Sequence, residues 1–170
     1  MIAEILAAAM LSAPGCYPPP VAAPIAVPYV QPACPYCAGH RGVEYALPAG
    51  TPVAAVAAGT VTFSGAVAGT RYVVVLQADG RRATYGMLAA TTLTRGDVVV
   101  AGQQVGASGA RLYFGLRDAT DAPVDPTPLL GRLVGVPRLV PAGGATPRRA
   151  PPPRLQCGAS VSASSTGATP

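Results

Sequence analysis

The sequence predicts an all-β fold, an antiparallel sheet or sandwich with irregular ends, on three observations. Between residues 50 and 117, short runs rich in Val, Thr, Tyr and Phe alternate with Gly-bearing turns, the spacing of strands in a sheet. The chain holds 20 Gly and 20 Pro among 170 residues, and Pro at that density interrupts any long helix. Charged residues make up only 11% and Trp is absent, so the heptads with charged flanks that a helical bundle needs are missing.

Composition also narrows the partners. No run approaches the ~20 apolar residues of a membrane-crossing helix, so no transmembrane span is expected. The net charge is +5, and every basic residue is Arg. That charge is thinly spread, with Arg148, Arg149 and Arg154 in a Pro-rich tail. It suits general attraction to an anionic envelope. A nucleic-acid groove needs clustered basic residues with aromatic platforms, and no nucleic-acid partner is expected.

In chain order, residues 1–16 carry an apolar stretch followed by small residues and read as an export signal, with Glu4 where a positive charge is usual. Ala13-Pro14-Gly15-Cys16 approximates a lipobox, which would lipidate Cys16. Residues 17–37 read as a Pro-rich linker, because Pro every few residues forces extended backbone and excludes helix. Residues 38–133 are the expected folded unit. Inside it, residues 52–56, 60–64, 71–77, 82–87, 98–100, 104–105 and 112–116 read as strands. Tyr72-Val73-Val74-Val75-Leu76 is a continuous apolar run, suited to a strand buried on both faces, and Asp79-Gly80 is a hairpin signal. Residues 141–170 hold almost no large apolar side chain, too little to offset their ordering entropy. They are expected to be disordered and dispensable for folding.

Four cysteines remain to be placed: Cys16, Cys34, Cys37 and Cys157. In an exported chain an even set points to disulfides, with three possible pairings. Cys34-Pro35-Tyr36-Cys37 also has dithiol redox spacing, although no helical period follows it as that chemistry requires. Cys34, Cys37 and His40, at intervals of three, are a third option: up to three metal ligands, with Cys157 as a distant fourth.

A series of short motifs then carries a resemblance. His40-Arg41-Gly42-Val43-Glu44 comes first, followed by Leu47-Pro48-Ala49-Gly50-Thr51-Pro52-Val53 and Gly59-Thr60-Val61. Thr84-Tyr85-Gly86-Met87-Leu88, Gly96-Asp97-Val98-Val99-Val100 and Arg111-Leu112-Tyr113-Phe114-Gly115-Leu116-Arg117 follow, with Val124-Asp125-Pro126 last. In this order they resemble the LytM/lysostaphin-type zinc endopeptidases, which cleave peptide cross-links in bacterial cell walls, and more narrowly the divergent forms of high-GC Gram-positive bacteria.

The resemblance implies a zinc site, which this chain supplies only in part. The family ligands are the His and Asp of H-x-x-x-D and the second His of H-x-H; the first His of H-x-H and the His of Y-x-H-L assist catalysis. The ligand positions fall on His40, Glu44 and Tyr113, and the catalytic positions on Arg111 and Met87. Glu44 is one methylene longer than Asp. A phenol releases its proton only near pH ~10, and Arg keeps its proton beyond pH ~12, so neither replaces His. The chain has one His where the family site uses four. A catalytic zinc needs three good ligands and an open position for water.

No cofactor is therefore expected, and zinc if any metal is retained. Tyr113, Phe114 and Met87 are expected to fill the former metal pocket, and Arg111 to pair with Glu44 across it. The resemblance implies an envelope-associated or secreted, non-catalytic domain that binds peptidoglycan or regulates a cell-wall hydrolase. The alternative is an active zinc metalloendopeptidase with an atypical ligand set that draws on Cys34 or Cys37.

Overall fold

The computed structural model describes residues 16–34, 36–134 and 154–157, and of Leu133 and Val134 only the backbone. The expected export signal, Cys16 apart, lies outside the described residues, as does most of the expected disordered tail.

The expected all-β, antiparallel architecture is present. The strands are β1 (Ile25–Val27), β2 (Val43–Ala46), β3 (Pro52–Ala54), β4 (Gly59–Val67), β5 (Thr70–Gln77), β6 (Arg82–Ala90) and β7 (Val98–Val99). They continue with β8 (Gln104–Arg117), β9 (Pro123–Val124), β10 (Arg132–Val134) and β11 (Arg154–Gln156). Nine form one sheet in the order β1-β2-β8-β6-β5-β4-β7, with β3 and β9 also on β8, while β10 and β11 pair separately. Among the described residues, one 3-10 turn at Thr127–Leu129 is the only helical element.

Local chemistry explains the framework. Gly80, at φ 83°, closes the β5–β6 hairpin, with its N–H donating to the Gln77 carbonyl at 3.0 Å. Here the backbone takes the left-handed region that glycine enters without a Cβ penalty. One face of the sheet is closed by Val43, Tyr45, Val61, Val73, Val75, Tyr85, Leu112, Phe114 and Leu116, all at most 1% exposed. The Tyr85 hydroxyl inside this core accepts a hydrogen bond from the Val56 N–H at 2.9 Å, so its polar end is satisfied.

Four expectations need correction. β5 is not buried on both faces: Val73, Val75 and Gln77 are buried while Tyr72, Val74 and Leu76 are half-covered. Antiparallel sheets need only one closed face, and an apolar run does not reveal which case applies. Residues 104–105 and 112–116 belong to one 14-residue strand, β8. Its Gly106 is not a turn glycine. A Cβ there would come within 2.6 Å of the Ala90 carbonyl oxygen, so the glycine permits a close backbone approach.

The third correction concerns residues 17–37, expected as a linker. They form a strap built into the domain. Val21 is buried, Ala23, Ile25, Val27 and Tyr29 are half-buried, and the residues between them face outward. β1 pairs with β2, the Ala54 N–H donates to the Pro20 carbonyl at 2.9 Å, and Tyr17 OH donates to Gln77 Oε1 at 2.8 Å. Proline lacks a donor but keeps its acceptor, so a Pro-rich segment can still tie down a sheet's free N–H groups.

The fourth concerns Cys16 and the tail. Cys16 is 5% exposed and bonded to Cys157, which is incompatible with its lipidation, and the two Cα atoms lie 5.8 Å apart. β11 precedes that bond and pairs with β10. Part of the expected disordered tail is thus covalently fixed to the start of the strap. In the chain-entropy account, a loop of this length contributes about 5 kcal/mol and the short Cys34–Cys37 loop about 2 kcal/mol. Replacing Cys16 and Cys157 together by Ser should lower stability by about 2–5 kcal/mol, read from the denaturant midpoint. An unchanged midpoint would restore the dispensable-tail expectation.

Candidate functional site

The second face of the sheet carries a row of polar and small residues. The β2–β8–β6–β5–β4 register sets Glu44 opposite Tyr113, Tyr113 opposite Gly86, Gly86 opposite Tyr72 and Tyr72 opposite Gly65. Paired residues of neighbouring strands share a face, so this register alone gathers the family positions Glu44 and Tyr113. Arg111 stands two residues before Tyr113 on β8, on the same face, opposite Ala46.

His40 enters from the loop before β2. The strap fixes its backbone through paired hydrogen bonds of 2.9 Å with Val30. Its Nδ1 meets the Pro28 carbonyl at 3.0 Å and its Nε2 meets Glu44 Oε1 at 3.1 Å. Both ring nitrogens thus face acceptors. When Nδ1 donates to the Pro28 carbonyl, the neutral ring keeps its Nε2 lone pair, turned toward the carboxylate.

Glu44 is 9% exposed, and its second oxygen, Oε2, lies 2.5 Å from Arg111 Nη2. This is a contact of charge: Oε2 is shut off from solvent and accepts no hydrogen bond. The Arg111–Glu44 pair expected from the sequence is therefore present, with the guanidinium half in solvent.

Tyr113 packs edge-on to the His40 ring, with ring centroids 5.9 Å apart, and its hydroxyl donates to the Arg41 carbonyl at 3.0 Å. Burial pushes this hydroxyl's pKa upward, further from the phenolate a metal would need. The ring lies over three glycines, two on neighbouring segments and Gly115 two residues further along β8. A Cβ would come within 2.7 Å of it at Gly42, 3.2 Å at Gly86 and 3.0 Å at Gly115, with the hydroxyl 2.7 Å away at Gly115.

The remaining candidates sit elsewhere. Met87, half-buried, is the extra residue of β6 against β5, where Gly86 faces Tyr72 and Leu88 faces Arg71, with φ 61°. A bulge of this kind re-aims a side chain and is common beside active sites. Phe114 points to the opposite face, into the core, 0% exposed; its expected role in filling the metal pocket is corrected here, because strand alternation sends neighbours Tyr113 and Phe114 to opposite faces. Cys34 and Cys37 are bonded to each other in the turn before His40. Two open clefts flank the sheet, one by Pro19, Tyr45 and Leu130 and one by Cys34, Arg41 and Arg117; His40, Glu44 and Arg111 line neither.

The donor set does not fit a catalytic zinc. Of the side-chain atoms gathered here, Glu44 Oε2 alone is a buried donor without a hydrogen bond, and a cation lies against it. His40 and Glu44 give two ligands where a catalytic zinc needs three, the Tyr113 hydroxyl is committed to a carbonyl, and among the described residues no three His, Cys, Asp or Glu side chains cluster as metal ligands. Sequence reasoning missed the Pro28 carbonyl and the glycine cradle. The glycines were visible as motif letters, but their shared function needs the strand register.

The cradle is testable. Gly86→Ala would place a Cβ within 2.5 Å of the Tyr72 ring as well, and overpacking of this kind costs about 1–3 kcal/mol. In a Tyr72→Ala background the same substitution should cost clearly less. Equal costs in both backgrounds, measured by urea unfolding, would contradict the packing described.

Comparison with known proteins places these features. Peptidase family M23 matches residues 38–126, more than half of the chain. Among curated proteins nothing matches. Helicobacter pylori Csd3 is 26% identical with a TM-score of 0.59, covering 68% of this chain and 34% of that one, so this chain spans about a third of Csd3. The catalytic domain of the prophage-encoded M23 protein EnpA from Enterococcus faecalis is 28% identical, with a TM-score of 0.55, 65% of this chain and 95% of that domain being covered. The antimicrobial peptidase lysostaphin from Staphylococcus simulans is 25% identical with a TM-score of 0.57, over 69% and 54% of the two chains. With its sheet, its motif order and this match in agreement, the chain belongs to peptidase family M23 and has the LytM/lysostaphin-type fold.

Proposed function

We propose that this M23-type domain is non-catalytic and serves the cell envelope, binding peptidoglycan or regulating a cell-wall hydrolase. The observation that carries the reading is the Arg111 guanidinium 2.5 Å from Glu44 Oε2, a fixed positive charge beside the position where the family holds its metal. Arg111 and Met87 stand where the family uses two histidines, and neither moves a proton at neutral pH. A secreted or envelope location is supported by the two disulfides, which persist in oxidising compartments. Because Cys34 and Cys37 are bonded to each other, neither offers the thiolate that an atypical zinc site would draw on.

Three experiments test this reading. The purified chain, kept free of reductant, should carry well under one zinc per molecule and leave cell-wall peptides uncut. Loss of general acid–base assistance alone costs about 10²–10⁴ in rate. Glu44→Asp and Tyr113→His with Arg111→His should bring back zinc binding, and Met87→His should then be needed for hydrolysis. Chelator-sensitive cleavage by the unsubstituted chain would overturn the reading. Co-sedimentation with purified sacculi, and stimulation of a hydrolase added to them, separate the two envelope roles.

A further inference from the structure

The two disulfides sit in different surroundings. Cys16 is buried, and a Cβ at Gly131 would come within 2.9 Å of its sulfur, while its partner Cys157 is exposed. Cys34 is exposed, Cys37 half-buried, and Tyr36 between them is 99% exposed. One backbone hydrogen bond, from the Cys37 N–H to the Cys34 carbonyl at 3.1 Å, closes the turn.

Cys34 also borders the open cleft that contains Arg41, Arg117 and Asp121. Arg41 Nη2 donates to the Cys37 carbonyl at 3.3 Å, which holds this guanidinium next to the disulfide, while Arg117 Nη1 is paired with the Asp121 carboxylate at 3.4 Å and its carbonyl at 2.7 Å. Positive charge there draws an incoming thiolate and stabilises a departing one. Exposed disulfides are the labile members of a protein's set. Attack at the exposed Cys157 would have to expel Cys16 as a thiolate inside the packing, where burial disfavours the charge, whereas Cys37 leaves half-exposed.

We propose that Cys34–Cys37 is a thiol-exchange site, opened by a dithiol reductant of the exported space while Cys16–Cys157 stays closed. One thiolate of the dithiol attacks Cys34 Sγ. A mixed disulfide forms as the Cys34–Cys37 bond breaks, and Cys37 leaves as a thiolate. The second thiolate of the dithiol then attacks its own partner sulfur in the mixed disulfide, releasing the Cys34 thiolate. The dithiol is oxidised to a disulfide and gives up two electrons, which the protein gains as two thiolates. The two protons lost by the dithiol pass to solvent or to the new thiolates. This chemistry goes beyond the peptidoglycan reading and is independent of whether the His40 site hydrolyses anything.

Titration of the folded, full-length chain with dithiothreitol tests it, with free thiols trapped by a maleimide and located by peptide mass spectrometry. Circular dichroism follows the fold at each step. Cys34 and Cys37 should be labelled together at about tenfold lower dithiothreitol, or less, than Cys16 and Cys157, with the β spectrum unchanged. A smaller gap, a reversed order, or opening of Cys34–Cys37 only as the spectrum collapses would overturn the proposal.

Discussion

A carboxylate held against a sheet needs positive charge beside it, because an isolated buried ion is among the costliest groups a fold can carry. Glu44 is such a group, and the whole candidate site is arranged around its two oxygens. Oε1 faces the His40 ring and Oε2 faces the Arg111 guanidinium. In the proposed reading, Arg111 supplies from the neighbouring strand the positive charge that the family pattern draws from a metal.

Two parts of the fold hold that arrangement in place. β8 pairs with β2, β3, β6 and β9, so it carries Arg111 and Tyr113 on a strand that cannot shift without moving most of the sheet. The strap provides the other half, since its Pro28 carbonyl and Val30 backbone orient His40 from outside the sheet. The Cys16–Cys157 bond ties the beginning of that strap to β11. His40 is thus positioned by a segment lying N-terminal to the family match, which begins at residue 38.

The sheet was legible because its strands are short, β-branched and punctuated by glycine, and Asp79-Gly80 named its hairpin. The Glu44–Arg111 pair was legible through the family resemblance, which puts an acid without its metal and an Arg at two positions of one site, although on the sheet Arg111 stands opposite Ala46. The strap was not, although its signal is present. Val21, Ala23, Ile25, Val27 and Tyr29 fall on one side of a period of two, with Pro24 and Pro28 on the other. The density of Pro obscured that alternation, because Pro on the outward side of an edge leaves the inward side free to pack. β11 was hidden for a related reason, as three residues in a polar tail carry too little apolar pattern to be seen without their disulfide. The glycine cradle under Tyr113 depends on which residues face one another across three strands, and one sequence does not contain that register.

The central claim is that Arg111 takes the place of a metal at Glu44. A crystal structure of the unsubstituted chain grown with excess zinc tests it most directly. The account predicts the Arg111 guanidinium still against Glu44 Oε2, His40 Nε2 still against Oε1, and no ion between them. An ion coordinated by His40 and Glu44, with Arg111 turned out into solvent, would contradict it.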